Sequence, residues 1–143
     1  MSQKTYVFDA ELVGYGNVRR VIAVREDLTL VDLHYALQSA FGWDDDHLYA
    51  FWPGSSFWTS DDACFTRPCC QEPAGSPASR SAAIRLDSLA LAEGRRLSYV
   101  FDFGTEWRVR LRVADVRSDD DESSPRLLEA VGAAPPQYAP SAA

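Results

Sequence analysis

The chain is poor in the residues from which catalytic and metal centres are usually built: 2 His and 3 Cys in 143 residues. An odd number of cysteines, two of them adjacent, excludes a disulfide framework. Cys69 and Cys70 lack the two-residue spacer that lets two thiolates share a tetrahedral ion, and no His is near them in sequence, which argues against a zinc knuckle. A lone redox-active thiol in an exposed loop is the functional alternative, and incidental cysteines are the favoured reading. No run approaches the ~20 apolar residues of a membrane-spanning helix, so no membrane partner is expected. Met1–Thr5 shows no basic segment followed by an apolar one, so no signal peptide is expected and the expected compartment is the cytosol. Gly-rich phosphate loops, the GxSxG elbow and the kinase motifs are all missing. Lys4 is the one lysine among 14 basic residues, a bias of composition that carries no function. A net charge of −7 and a pI near 4.7 argue against nonspecific binding of nucleic acid or anionic membranes, which needs a basic field; nucleic acid stays open through a local basic face alone.

What is present fits a single domain over 1–143 with an aromatic core, given 4 Trp, 6 Tyr and 7 Phe. Tyr6, Phe8, Ala10 and Leu12 alternate with Val7, Asp9, Glu11 and Val13, the period of a half-buried strand. Gly14-Tyr15-Gly16-Asn17 supplies a turn, and Val18, Ile22 and Val24 share a face of a second strand, which predicts a hairpin. Thr29 and Asp32 stand at capping-box spacing. Leu30, Leu33, Leu37 and Phe41 then follow at helical spacing, and Gly42 is placed to end the helix. The acidic turn Asp44-Asp45-Asp46 leads into an aromatic strand, His47 to Trp52, stopped by Pro53-Gly54. Residues 60–83 show neither period and read as a loop-like insertion. Ile84, Leu86, Leu89 and Leu91 make a short apolar patch. Leu97–Phe103 and Trp107–Val113, joined at Gly104-Thr105, predict a second hairpin. Ser118–Ser124 reads as an acidic loop, and the stretch with Leu127, Leu128 and Val131 as a tail that frays, flexible after about 133. These elements predict an α+β fold: a bent antiparallel sheet built from hairpins, packed with one main amphipathic helix.

The ligand or pocket candidates are His34, His47, Asp102, Trp43 and Trp107. His34 lies on the apolar stripe of the helix and His47 opens the aromatic strand beside three Asp. The pair with one carboxylate would suit zinc, iron or manganese. The alternative, favoured because no HxxxH or HxH spacing brings ligands together, is a packed core histidine and an edge residue. Asp102 alternates with Phe101 and Phe103, so it faces solvent or a cleft if they face the core. Arg108, Arg110 and Arg112 project from one face of a strand as a basic stripe about 14 Å long. They form an anion-binding candidate set, although in so acidic a chain the favoured reading is a solvated face paired with acidic neighbours across the sheet.

The strings Leu33-His34, Phe41-Gly42-Trp43, His47-Leu48-Tyr49 with Phe51, and Tyr99-Val100-Phe101-Asp102-Phe103-Gly104 with Trp107, together resemble the plasmid pRiA4b ORF-3-like family. Some of its members are called insertion-element passenger TnpR proteins. The tail Pro125-Arg126-Leu127-Leu128 through Gly132-Ala133-Ala134-Pro135-Pro136 resembles the family's closing segment. The resemblance implies a bent antiparallel sheet with one main helix and an association with mobile elements; it implies no activity and names no cofactor. Asp is usual in the family where Thr105 stands, and His where Val109 stands, so a shared polar site would be depleted here. Nothing resembles a serine-recombinase active site. The function expected is a soluble, non-catalytic binding or adaptor domain with a protein or small-molecule partner. The alternatives are a metal-dependent hydrolase of phosphate-containing substrates, with His34, His47 and Asp102 as ligands, and an accessory factor in DNA transactions.

Overall fold

A computed structural model of the chain describes residues 4–15, 17–44, 48–54, 57, 65–66, 80–102, 106–118 and 125–134. Eight strands form one sheet: β1 (Lys4–Leu12), β2 (Arg19–Arg25), β3 (Tyr49–Pro53), β4 (Phe65–Thr66), β5 (Arg80–Ser81), β6 (Arg96–Phe101), β7 (Trp107–Ser118) and β8 (Arg126–Val131). Their order is β5-β4-β3-β6-β7-β1-β2-β8. All neighbours are antiparallel except β4 and β5, which run parallel. Both predicted hairpins, β1–β2 and β6–β7, are present, and β7 joins them by pairing with β1.

One helix, α1 (Leu30–Phe41), packs on one face. Its start is closed by a capping box: Thr29 Oγ1 accepts from the Asp32 amide, and the Asp32 carboxylate accepts from the Thr29 amide. The Leu30 and Val31 amides donate to the Ile84 and Ala82 carbonyls, and Leu33 to Thr29, so the first-turn donors are all satisfied. Gly42 ends the helix at φ +74°, where a side chain would be strained. Leu30, Leu33, Leu37 and Phe41 bury their stripe against Phe8, Leu12, Val24, Phe51, Tyr99 and Leu111 of the sheet.

With eight strands against a single 12-residue α-helix among the described residues, the fold is mainly β, and the α+β expectation is corrected. The missing strands came from segments without hydrophobic alternation. β4 and β5 lie inside 60–83 and have two residues each, too short to show a period. β8 replaces the first part of the expected frayed tail; it is almost wholly exposed and is held to β2 by backbone pairing rather than by burial. The apolar patch at 84–91 holds a 3-10 turn, Leu86–Leu89, with Leu86 buried. Register shifts at Val7/Phe8 and Val21/Ile22 bend the strands around the helix.

The other face of the sheet carries a smaller cluster, Ala50, Trp52 and Val100 with Phe57 packed against it, and then a band of charge. The inner, aromatic face and this outer, arginine-bearing face hold the two sets of candidate residues.

Candidate functional site

His34 occupies the α1 stripe one residue after Leu33, which turns it inward beneath β3 and β6. Only 1% of it is exposed. Its ring stacks on Tyr49 and Nδ1 lies 2.7 Å from the Tyr99 hydroxyl. One helical turn on, Gln38 Nε2 donates to that same oxygen at 3.0 Å. His34 Nδ1, the Tyr99 hydroxyl and Gln38 Nε2 thus form one buried chain of hydrogen bonds with the phenol oxygen at its centre. Gln38 Oε1 is buried and has no hydrogen-bond partner among the described residues.

From His34 the rings run outward. Phe101 lies 6.1 Å from His34, and Trp43 stacks on Phe101 at 5.4 Å and on Phe41 at 4.9 Å. Trp107 is 5.7 Å from Trp43, and Tyr15, 45% exposed, covers Trp107 at 5.7 Å. Local structure explains this convergence: Trp43 follows the left-handed helix end, Phe101 closes β6, Trp107 opens β7, and Tyr15 sits in the β1–β2 turn. Both indoles are more than nine-tenths buried, yet neither Nε1 has an acceptor among the described residues.

Asp102 follows Phe101 and is 8% exposed. Its amide donates to the Leu48 carbonyl, extending the β3–β6 ladder by one bond, and its carbonyl accepts from the Glu106 amide. Asp102 and Glu106 both stand in the left-handed region, at φ +64° and +58°. Non-glycine residues held there cost about 1–3 kcal/mol each, and such strain concentrates at ligand clamps and active sites. These two residues flank the 103–105 segment, and Trp107 follows directly. Thr105 and His47 lie outside the described residues, as do Cys64, Cys69 and Cys70. Val109 is fully buried opposite Tyr99. Among the described residues, no group of three or more His, Cys, Asp or Glu side chains could hold a metal ion.

The arginine stripe lies on the other face, and its members differ. Arg108 pairs with Glu106 at 2.7 Å and lies over the Phe57 ring, Arg110 also lies over Phe57, and Arg112 reaches Asp9 at 3.7 Å. A separate apolar groove of about 290 Å³ runs between α1 and β8, past Tyr35, Ala36, Ser39 and Leu127. Its one carboxylate, Asp32, is committed to the helix cap.

Sequence reasoning passed over Arg20, which points inward from β2 and is 6% exposed. Its guanidinium donates to the carbonyls of Ala40, Arg19 and Val131 and covers the Phe41 ring at 5.3 Å. The signal was available: Arg20 falls in phase with Val18, Ile22 and Val24.

The family model of the plasmid pRiA4b ORF-3-like proteins matches residues 4–139. The chain belongs to that family. Among its relatives is an uncharacterized protein, y4hQ, of Sinorhizobium fredii, 28% identical over 120 residues. The match takes in 84% of this chain and spans about 58% of the relative's length. A solved structure, a protein of unknown function, MM3350, from Methanosarcina mazei, superposes with a TM-score of 0.72. It is 23% identical, with 91% of this chain and 71% of the other covered, and has the same fold. Among the described residues, no helix is long and apolar enough to cross a membrane.

Proposed function

We propose that this family member is a non-catalytic binding module whose ligand site is the aromatic cluster of Tyr15, Trp43, Phe101 and Trp107. One observation carries the reading: Trp43 and Trp107, with ring centroids 5.7 Å apart, bury two indole N–H groups without an acceptor among the described residues. A buried donor left unpaired costs about 1–3 kcal/mol, and native interiors hold few of them. A ligand offering carbonyl or carboxylate oxygens supplies what is missing. Tyr15 and the indoles offer it flat apolar surface, and Asp102 and Glu106 hold the strained backbone beside it. His34 serves this site as a wall and a spacer: its stacking on Tyr49 and its bond to Tyr99 set how far Phe101, and therefore Trp43, stands from the helix.

Native mass spectrometry of protein purified without a chelating tag tests the reading. The expected result is a small-molecule adduct that is released on unfolding and reduced in Trp107→Phe. A stoichiometric transition metal held through His34 and His47, together with turnover of a phosphate ester, would overturn it.

A further inference from the structure

On the outer face, Arg96 of β6 and Arg112 of β7 are direct cross-strand partners. Like charges directly opposite one another destabilise a sheet, so such a pair calls for a neutralising group. The nearest carboxylate on the next strand is Asp9, the cross-strand partner of Arg112 on β1. Asp9 is already engaged: both of its oxygens accept from Arg19, at 3.1 and 2.7 Å, which leaves Arg112 a distance of 3.7 Å. Neither Arg96 nor Arg110 has an ion pair among the described residues; Arg110 stands opposite Glu11 of β1 and lies over the Phe57 ring. Arg96, Arg110 and Arg112, together with Asp9, Glu11 and Leu111, line a depression of about 130 Å³. A depression of that size admits a tetrahedral oxyanion. Three guanidinium groups (Arg96, Arg110, Arg112) and two carboxylates line it, and one of those carboxylates is held by Arg19, so the lining is locally positive on a chain of net charge −7.

We propose that Arg96, Arg110 and Arg112 form a binding site for the phosphate group of a small phosphorylated molecule on the outer face of the sheet. Guanidinium forks match phosphate oxygens two by two, and an anion between Arg96 and Arg112 turns their repulsion into attraction. Arg108 takes no part, because Glu106 already holds it. The site is independent of the aromatic cluster, which lies on the opposite face.

Titration with inorganic phosphate at constant ionic strength, following the arginine Nε–H resonances, tests this site. The expected result is saturable shifts at Arg96, Arg110 and Arg112, with little change at Arg117 and Arg126 and none from an equivalent titration with chloride. Arg96→Glu gives a second readout that does not depend on seeing the ion. It places a carboxylate opposite Arg112, so it raises Tm by roughly 1–4 °C while weakening phosphate binding at least tenfold. Shifts that chloride reproduces, or that spread evenly over all arginines, overturn the proposal. So does binding of a DNA duplex with no response to phosphate, and so does an Arg96→Glu variant that lowers Tm and keeps phosphate affinity.

Discussion

The imidazole of His34 lies flat on the phenol of Tyr49, with ring centroids 3.6 Å apart and planes 11° from parallel. This stack joins the helix to the aromatic strand at the point where a metal ligand had been one reading of the sequence. With Nδ1 against the Tyr99 hydroxyl, two of the ring's features are committed to packing. Tyr99→Phe removes that hydroxyl and strands both His34 Nδ1 and Gln38 Nε2. The expected loss is about 1–3 kcal/mol, read from the urea midpoint at unchanged m-value. An unchanged midpoint would show that the bond triad is not formed.

Arg20 ties the end of α1 to β2 and β8 through three backbone carbonyls. A buried guanidinium near a helix C-terminus also meets the negative end of the helix dipole. Arg20→Met keeps much of the apolar stem but leaves those carbonyls unpaired, with an expected cost of about 2–5 kcal/mol. Arg20→Lys recovers only part of it, because an ammonium lacks the fork that serves several carbonyls. Equal stability of the Lys variant and the natural chain in chemical denaturation would contradict this account.

Gly132 follows β8 at φ +76°, and a Cβ there would meet the Asn17 backbone oxygen at 2.3 Å. Neither the backbone conformation nor the space admits a side chain, so Gly132→Ala must push the end of β8 away from the β1–β2 turn. A lower Tm is expected, with amide protection lost first at Glu129–Val131. Gly14→Ala, where φ is positive but the space is open, is the control and should cost less, on the order of 1 kcal/mol.

Tyr6 is buried, and desolvation, followed by the nearby charges of Glu26 and Asp87, raises its pKa above the ordinary value of 10.0. A raised folded-state value means that the folded chain holds the phenolic proton more tightly than the unfolded one. The stability linked to Tyr6 is therefore complete below pH 10 and is lost as pH rises through the folded-state pKa. Tyr6→Phe should flatten the alkaline limb of the stability profile. A limb of unchanged slope would assign it to another group.

The sequence showed the inner face better than the sheet's extent. The capping box at Thr29 and Asp32, the helix stripe and the strands at 6–12 and 97–113 were all legible because burial on one face imposes a period on the chain. β8 escaped notice because its pairing uses backbone groups, which leave no mark on side-chain alternation, and so the fold read as α+β rather than mainly β. The arginine stripe at 108–112 was visible as alternation along one strand. The face it belongs to was not: Arg96 comes from β6 and Asp9 from β1, and register alone brings them together. That the indole N–H groups of Trp43 and Trp107 lack an acceptor among the described residues was likewise beyond reach, since hydrogen-bond satisfaction is a property of the packed state.

The central claim is that these two indole N–H groups wait for an acceptor. The ¹H–¹⁵N indole resonances, assigned with Trp43→Phe and Trp107→Phe in protein dialysed free of small molecules, test it most directly. The account predicts two upfield signals, typical of N–H groups without an acceptor, that move downfield when the small-molecule fraction of a cell extract is added. Two signals already downfield in the dialysed protein, and unmoved by that fraction, would contradict it.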